Sequence, residues 1–369
     1  MSVNNELLNC ISAFLRNETV QVTLDEGGWA ELIRKAEEQK LLPMIFEAAG
    51  ASMPESLCTA IRSRTKLLVA RQMQCTQEFL SLSDAGIQPL VIKGIVCRSV
   101  WSRPEHRSSA DEDLYIPLSD YPAFHEKMLE LGFEAKSPDY KNAHEERYIR
   151  SGLLIEGHWE LFPLDNDKLN TLNAYTDEMW NRAQTQLVEG TEMTVLDATD
   201  HMTFLLLHAY KHFINSGVGI RQLCDIAQWS KHYALDWHRI YDVMRSVHGE
   251  CFAAAVFDAG ERYFGMEYPP HFERADCTAL INDALDGGIY GASDMSRKHS
   301  GPMTLEAVDA SEKGKTGRPL LRTLFPNRAV MEAGYPWVKK SAALLPAAWA
   351  ARIAKYAVSR GTDNSAAES

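Results

Sequence analysis

The sequence lacks long apolar runs, paired cysteines and an excess of basic residues. Its seven cysteines are widely spaced and form no Cys-x-x-Cys pair, which argues against a disulfide framework and against a zinc site. The most apolar late stretch, residues 342–354, contains a proline and an arginine and is too short to cross a bilayer. The N-terminal segment has neither the basic start nor the long apolar core of a signal peptide. These absences lead us to expect a cytoplasmic protein.

The charge of the chain limits its partners. The 369 residues include 38 Lys and Arg against 50 Asp and Glu, which gives a formal net charge of −12. Binding to a nucleic-acid backbone needs a concentrated basic face, so we expect no extended nucleic-acid surface. A local basic cleft is compatible with this balance. The 45% of hydrophobic residues is too high for a disordered chain, and the length suggests two domains.

The periodicity of the chain divides it into three parts and a tail. Apolar residues at helical spacing predict an N-terminal helical region over residues 1–86, closed by Gly86. Short β-branched runs alternate with helical patterns between residues 87 and 197, which predicts a small mixed β-sheet. Helical spacing returns over residues 198–360, and the polar residues 361–369 predict a disordered tail. The fold class is therefore α+β, a small sheet core flanked by an N-terminal helical region and a C-terminal helical domain.

Within the sheet region, strands are predicted near residues 88–92 and 114–116, and around a turn at Ser151-Gly152, with a helix from Tyr121 to Gly132. Four helices are predicted near residues 203–213, 221–232, 237–247 and 251–264. A loop-rich region follows to about Arg318, and a last helix is predicted over residues 344–358.

The most informative feature is Asp111-Glu-Asp113 at the start of an apolar run. Side chains alternate along a strand, so both aspartates point to the same face. Two adjacent carboxylates repel each other unless a cation lies between them, and Mg²⁺ prefers such oxygen ligands. The alternative is a strand-end turn with solvated acids. A second pair, Asp165 and Asp167, lies in a polar stretch without a strand pattern, and we expect no chemistry there.

Two further segments of the sheet region carry polar residues suited to the same site. Lys93-Gly94 ends an apolar run and precedes a helix, which favours a phosphate-binding turn but also describes an ordinary strand–turn–helix corner. Glu156 and His158 share a strand face, where Glu156 is a candidate third carboxylate and proton acceptor. The alternative for this segment is an edge strand with its polar face in water.

The helical half contributes a third set of polar residues. Arg221 and Asp225 are four residues apart and lie on one helical face, either as a surface ion pair or as part of a cationic wall that receives a triphosphate. The three histidines His201, His208 and His212 also lie on one face of the predicted helix. A His-x-x-x-His pair can bind zinc, but the glutamate that follows the first histidine in metalloproteases is missing here. We expect packing or polar contacts for these histidines.

In their order and spacing these segments resemble the uncharacterised bacterial nucleotidyltransferase family of the DNA polymerase β-like superfamily. The resemblance rests on Leu-Val-Ile-Lys-Gly, Arg-x-x-x-Asp-x-Asp-Leu, Leu-Gly-Phe and Ile-Glu-Gly-His-Trp-Glu-Leu, followed by the His…His, Arg and Asp pattern of the helical half. It extends over roughly residues 25–355, where Phe325-Pro326 and Tyr335-Pro336 also fit. The chain differs from the superfamily in two ways: the turn has no serine after its glycine, and the third acid is Glu rather than Asp.

The resemblance implies a Mg²⁺-dependent transfer of a nucleoside monophosphate from an NTP, most simply ATP, to an acceptor, with release of pyrophosphate. It implies that Asp111, Asp113 and Glu156 are the catalytic carboxylates and bind two Mg²⁺ ions. It further implies nucleotide binding by a larger set of residues: Lys93, Gly94, Arg107, His158, His208, Lys211, His212, Arg221 and Asp225.

The acceptor is left open by the sequence: a small molecule, a peptide, a protein or a tRNA end. The alternative function is a pseudoenzyme of the same fold that binds a nucleotide or a partner without transfer.

Overall fold

The computed structural model describes residues 2–287, apart from Ala110 and residues 137–143, 163–172, 174, 177 and 216. The described residues all lie in one compact unit that covers Met1–Lys298. Several expectations fall outside them: the Asp165/Asp167 pair, the loop region after Gly287, the helix over residues 344–358 and the polar tail.

The N-terminal region is helical, as expected. Ser2 and Asp25 cap the first two helices by accepting hydrogen bonds from the backbone N–H groups of Asn5 and Gly28. The long fourth helix is followed by Gly86 at a φ of 78°, a conformation that glycine adopts without strain. The helices are α1 (Val3–Leu15), α2 (Glu26–Glu38), α3 (Leu42–Ala49) and α4 (Glu55–Asp84), with a 3₁₀ turn at Gly50–Ser52.

The centre is a seven-stranded mixed sheet with the order β3-β4-β5-β2-β1-β7-β6. The pairs β2–β5 and β1–β7 are parallel and the remaining pairs are antiparallel. The strands are β1 (Leu90–Val91), β2 (Asp111–Tyr115), β3 (Glu134–Lys136), β4 (Glu145–Arg150), β5 (Leu153–His158), β6 (Gln184–Val188) and β7 (Thr191–Val195). Between them lie α5 (Ile95–Ser99), a 3₁₀ turn (Pro104–His106), α6 (Tyr121–Glu130) and the helical residues 178–181, called α7.

Two hairpins have two-residue turns in the left-handed region. Ser151 and Gly152 have φ values of 51° and 86°, and Glu189 and Gly190 have 49° and 80°. Positive φ at both turn positions matches the twist of the flanking strands. The first hairpin was predicted. The second, β6–β7, was not, because its polar strands lack the apolar run by which the other strands were recognised.

The C-terminal helices are α8 (Ala198–Asn215), α9 (Ile220–His232), α10 (Trp237–Ser246), α11 (Glu250–Tyr263) and α12 (Thr278–Gly287). The first four confirm the prediction, and α12 was not predicted. Helix α8 packs on α9 and α10, and α1 packs on α11. Buried Gln39 joins the two helical regions, since its amide donates to the Ala284 carbonyl at 2.6 Å and accepts from the Ile220 N–H at 3.3 Å.

The α+β class, a mixed sheet flanked by helical regions, is confirmed. The division into parts at residues 86 and 197 stays a prediction. All seven cysteines are free thiols. Among the described helices, none combines the length and apolarity that a bilayer span requires.

Candidate functional site

Three neighbouring strands bring acidic side chains to one face of the sheet. Asp111 and Asp113 alternate with Glu112 along β2, so the two aspartates share a face and Glu112 points to the other. Strand β5 runs parallel to β2 with Glu156 directly beside Asp113. Cross-strand neighbours lie on the same side of a sheet, so the third carboxylate joins the aspartates as predicted.

Strand β4 extends this acidic face. The turn at Ser151-Gly152 sets a register in which Arg147 is opposite Glu156 and Glu145 is opposite His158. Arg147 Nε lies 3.0 Å from Glu156 Oε1, and its Nη2 lies 3.1 Å from Glu145 Oε1. The arginine thus joins two carboxylates on adjacent strands.

One cluster on this face has the composition of a metal site. Ligand atoms of Asp113, Glu156 and His158 all lie within 4.8 Å of one another. Asp111 lies one rung further along the sheet and is outside this cluster. His158 is the third member of this cluster, and metal binding by Asp111, Asp113 and Glu156 stays a prediction.

Lys93 supplies the positive charge that the aspartates need. Its Nζ lies 3.0 Å from Asp113 Oδ2 and 4.0 Å from Asp111 Oδ2. Burial alone lowers the pKa of Lys93, but the charges of Asp113 and Asp111 outweigh it and hold the pKa above its usual value. The ammonium therefore stays charged between the two carboxylates.

The three carboxyl groups respond differently to this environment. Burial acts to raise the pKa of Asp113 and of Asp111, but Lys93 reverses the effect and keeps both pKa values below normal. Arg147 contacts Glu156 and acts to lower its pKa, but burial followed by the charges of Asp113 and Glu145 raises the pKa to about 7. Two acids are thus held ionised, while the third can exchange a proton near neutral pH.

His158 connects two carboxylates. Its Nε2 lies 3.4 Å from Asp113 Oδ1, and its Nδ1 lies 3.4 Å from Glu145 Oε2. His144, Glu145 and His158 form a second group of potential ligands within 4.8 Å. His158 was predicted to contact the nucleotide; the structure places it among the carboxylates.

Gly94 has a specific reason to be glycine. It has a φ of 71°, and a Cβ added there would lie 1.9 Å from Glu112 Oε2. The same carboxylate accepts a hydrogen bond from the Ile95 N–H at 2.6 Å and pairs with Arg98. The N-terminus of α5 thus already holds an anion that belongs to the protein. Phosphate binding by the Lys93-Gly94 turn stays a prediction.

Arg107 and Asp225 pair with each other in the buried interior. Arg107 Nε and Nη2 each donate to an Asp225 oxygen at 2.6 Å, and the Trp101 indole N–H donates to the same carboxylate at 3.1 Å. The partner of Asp225 is thus Arg107 rather than Arg221, its neighbour four residues earlier on α9. Arg221 donates a hydrogen bond to the Ser108 carbonyl. Their expected nucleotide contacts stay predictions, and the structure shows that Arg107 and Asp225 join the sheet region to α9.

Helix α8 presents two histidines and a lysine. His208 Nε2 and His212 Nε2 lie 3.2 Å apart. Burial is the main cause that lowers the pKa of both rings, to about 3 for His212, so they are neutral at neutral pH. Burial also lowers the pKa of Lys211, against the opposing charge of Glu145, and its Nζ lies 5.9 Å from the centroid of the Phe162 ring.

Glu145, Arg147 and His144 were not identified from the sequence. The signal was present in the predicted two-residue turn, because such a turn fixes the register of its hairpin and so places Arg147 opposite Glu156. His201, in contrast, packs as expected, stacked on Trp229 with 4.0 Å between ring centroids.

A comparison with known families matches residues 25–265, about two thirds of the chain, to a family described as uncharacterised nucleotidyltransferases. The matched range contains every site residue discussed above and ends before the C-terminal motifs that also suggested the resemblance. No curated protein and no solved structure matches the chain. The chain belongs to the family of uncharacterised nucleotidyltransferases.

Proposed function

We propose that the protein is a cytoplasmic, Mg²⁺-dependent nucleotidyltransferase that moves a nucleoside monophosphate from an NTP, most simply ATP, to an acceptor and releases pyrophosphate. The observation that carries the proposal is the acidic face of β2 and β5, where Asp113 and Glu156 are register neighbours beside Asp111. Membership in the nucleotidyltransferase family supports the reaction class.

The residues of the acidic face fit divalent cations. Two aspartates, Glu156 and His158 offer oxygen and nitrogen donors, and the Lys93 ammonium already occupies a cation position 3.0 Å from Asp113. Asp111, Asp113 and Glu156 would hold two Mg²⁺ ions, with His158 as a further donor. Bound there, the ions would supply the positive charge that neutralises the triphosphate during in-line attack on its α-phosphorus.

The chain's own residues position the reactants and move the proton. Lys93 and Lys211 add positive charge around the acidic face, where the triphosphate needs it. The Glu156 carboxylate, on the same face as the two aspartates, would accept the proton of the attacking acceptor group. Arg147 holds this carboxylate in place through its 3.0 Å contact.

One observation favours the alternative of a nucleotide- or partner-binding pseudoenzyme. Lys93 and Arg147 already neutralise the carboxylates that would hold the metal. Metal binding requires that Lys93 moves away from Asp113 or shares it with the ion. A pseudoenzyme would keep the ammonium in place and bind its ligand without transfer.

The decisive experiment is incubation of the protein with Mg²⁺ and each labelled NTP, with measurement of pyrophosphate and of label on protein, RNA and small molecules. Asp113→Asn should abolish transfer, because it removes a charge from the centre of the acidic face. Asp242→Asn, the same substitution at an exposed position of α10, is the matched control. Undiminished transfer by Asp113→Asn would refute the site; nucleotide binding without transfer by the wild type would favour the pseudoenzyme.

A further inference from the structure

A cavity of about 320 Å³ lies beside the acidic face, between the end of α2 and the middle of α4. Its wall includes Lys40, Arg64 and Arg71 against a single acid, Glu37. The whole chain carries a net charge of −12, so this wall is opposite in sign to the chain. Its composition suits an anionic ligand.

The cavity shares a wall with the proposed metal site. Ser108 and Ser109 line it, and the Ser109 hydroxyl donates to the Asp111 carbonyl at 3.0 Å and lies 3.3 Å from Asp111 Oδ1. The Ser109 N–H donates to Gln72 Oε1 at 2.6 Å, which fixes this wall to α4. A ligand in the cavity would therefore lie next to Asp111.

The cations of the cavity differ in how far they are neutralised. Arg64 Nη1 pairs with Glu37 Oε1 at 3.0 Å. Lys40 and Arg71 form neither an ion pair nor a side-chain hydrogen bond with any residue of the described ranges. Behind the wall, buried Arg221 donates to the Ser108 carbonyl, and its Nε has no hydrogen-bond partner among the described atoms. Of the cations that line the cavity, Lys40 and Arg71 retain donors for a ligand.

The backbone at Lys40 is the second, independent observation. Lys40 follows the end of α2 at a φ of 54°. Its N–H donates to the Glu37 carbonyl at 3.0 Å and the Leu41 N–H donates to the Ala36 carbonyl at 2.7 Å, the pattern of a Schellman helix end. Glycine is the usual residue at this position, because a side chain is strained there. A lysine that is strained at a cavity suggests that its side chain serves a function.

The charges around the acidic face fall into two groups. Burial and then Arg221 lower the pKa of Lys40, with Arg71 and Lys93 acting in the same direction and Asp111 opposing them. Burial lowers the pKa of Lys211, Lys93 acts in the same direction, and the charges of Glu145, Asp113 and Glu156 oppose it. Lys40 lines the cavity with Ser109, which contacts Asp111, whereas the carboxylates that act on Lys211 are those of Glu145, Asp113 and Glu156. Two cationic regions suit two anionic reactants.

We propose that the cavity of Lys40 and Arg71 binds a phosphate group of the acceptor, so that the substrate that receives the nucleotide is itself a phosphorylated molecule. The identification of the ligand as the acceptor rests on the proposed function. The phosphate-binding site itself is inferred from the cavity alone. The arginine fork matches phosphate oxygens, and the lysine adds a point charge.

The test uses the full chain and inorganic phosphate, titrated by calorimetry with and without Mg²⁺ and a non-hydrolysable ATP analogue. Phosphate should bind in both conditions. Arg71→Gln and Lys40→Gln should each weaken phosphate binding about tenfold, the effect of losing one charge-assisted hydrogen bond. Affinity for the analogue should change less than about twofold, because none of the residues expected to bind the nucleotide lines this cavity. Arg62→Gln, the same change on the same helix outside the cavity wall, is the control and should leave phosphate affinity unchanged.

Lys40→Gly separates function from folding. It removes the charge and the left-handed strain together, so phosphate affinity should fall while the Tm stays the same or rises. The proposal is wrong if phosphate affinity is the same in wild type and Arg71→Gln. It is also wrong if the analogue displaces phosphate and Arg71→Gln weakens both ligands equally, since the cavity would then hold the donor's triphosphate. Failure of transfer with phosphate binding intact would refute the enzyme and not the site.

Discussion

Two sets of buried charges lie on opposite sides of the same short strand, and they differ in how completely they are neutralised. On one side, Glu112 is enclosed by Arg98 and the Ile95 N–H. On the other, Asp111 and Asp113 share the single ammonium of Lys93, with Glu156 beside them. We call a charge set closed when each buried charge has an opposite charge beside it, and open when acidic groups outnumber the cations among them. An open acidic set can bind a further cation. Adjacent residues of one strand therefore have different roles.

The Arg107–Asp225 pair is a second example of the closed type. It is bidentate and includes the Trp101 indole. Breaking such a pair from one side leaves an uncompensated buried charge, which costs more than the intact pair contributes.

The largest expected effect on stability comes from Asp225→Asn. It should lower the free energy of unfolding by about 3–5 kcal/mol, because Arg107 keeps its charge without a partner. Urea unfolding followed by circular dichroism measures the change. Asp113→Asn should destabilise less, since it also relieves repulsion from Asp111 and Glu156. Equal losses in the two variants would remove the distinction between closed and open charge sets.

Gly94→Ala should have the next largest effect. It combines a left-handed φ with a Cβ that would lie 1.9 Å from Glu112 Oε2, so we expect a loss of about 2–3 kcal/mol. Gly86→Ala is the matched control, since Gly86 has a φ of 78° but open space around its Cβ position, and it should cost about 1 kcal/mol. Equal losses for the two glycines would mean that contact with Glu112 is unimportant.

The effect that is expected to be smallest at neutral pH concerns protonation beside the closed pair. Burial and then the Arg107 charge lower the pKa of His201 to about 3, below its unfolded value of about 6.5. The neutral ring therefore stabilises the fold above pH 6.5, and this contribution is lost as the pH falls toward 3. His201→Phe should reduce the slope of unfolding free energy against pH in this window by up to about 1.4 kcal/mol per unit. Identical slopes in the wild type and His201→Phe would show that His201 takes up a proton in the folded state as readily as in the unfolded state.

The acidic face could be predicted largely from the sequence, because strand alternation is a local property. The spacing of Asp111 and Asp113 predicts a shared face, and the same rule places Glu156 and His158 together. Most helices were found equally well, since their apolar spacing is also local, although α12 was missed.

The partners of these charges could not be predicted in this way. Arg107 and Asp225 are 118 residues apart in sequence, and only the packing of α9 against the sheet region joins them. No local pattern shows that Glu112 occupies the space beside Gly94. No local pattern links Lys40 and Arg71 to Asp111 either, and only the fold brings the three charges close enough to interact.

The central claim is that the face of Asp111, Asp113 and Glu156 binds divalent cations and that the Glu112 side does not. A Mn²⁺ titration followed by electron paramagnetic resonance, with Mn²⁺ as a probe for Mg²⁺, tests it directly on folded wild type, Asp113→Asn and Glu112→Gln. We predict that Asp113→Asn weakens Mn²⁺ binding at least about tenfold, because it removes a charged ligand. Glu112→Gln should keep wild-type affinity. Unchanged Mn²⁺ binding by Asp113→Asn, or an equal loss in both variants, would contradict the claim.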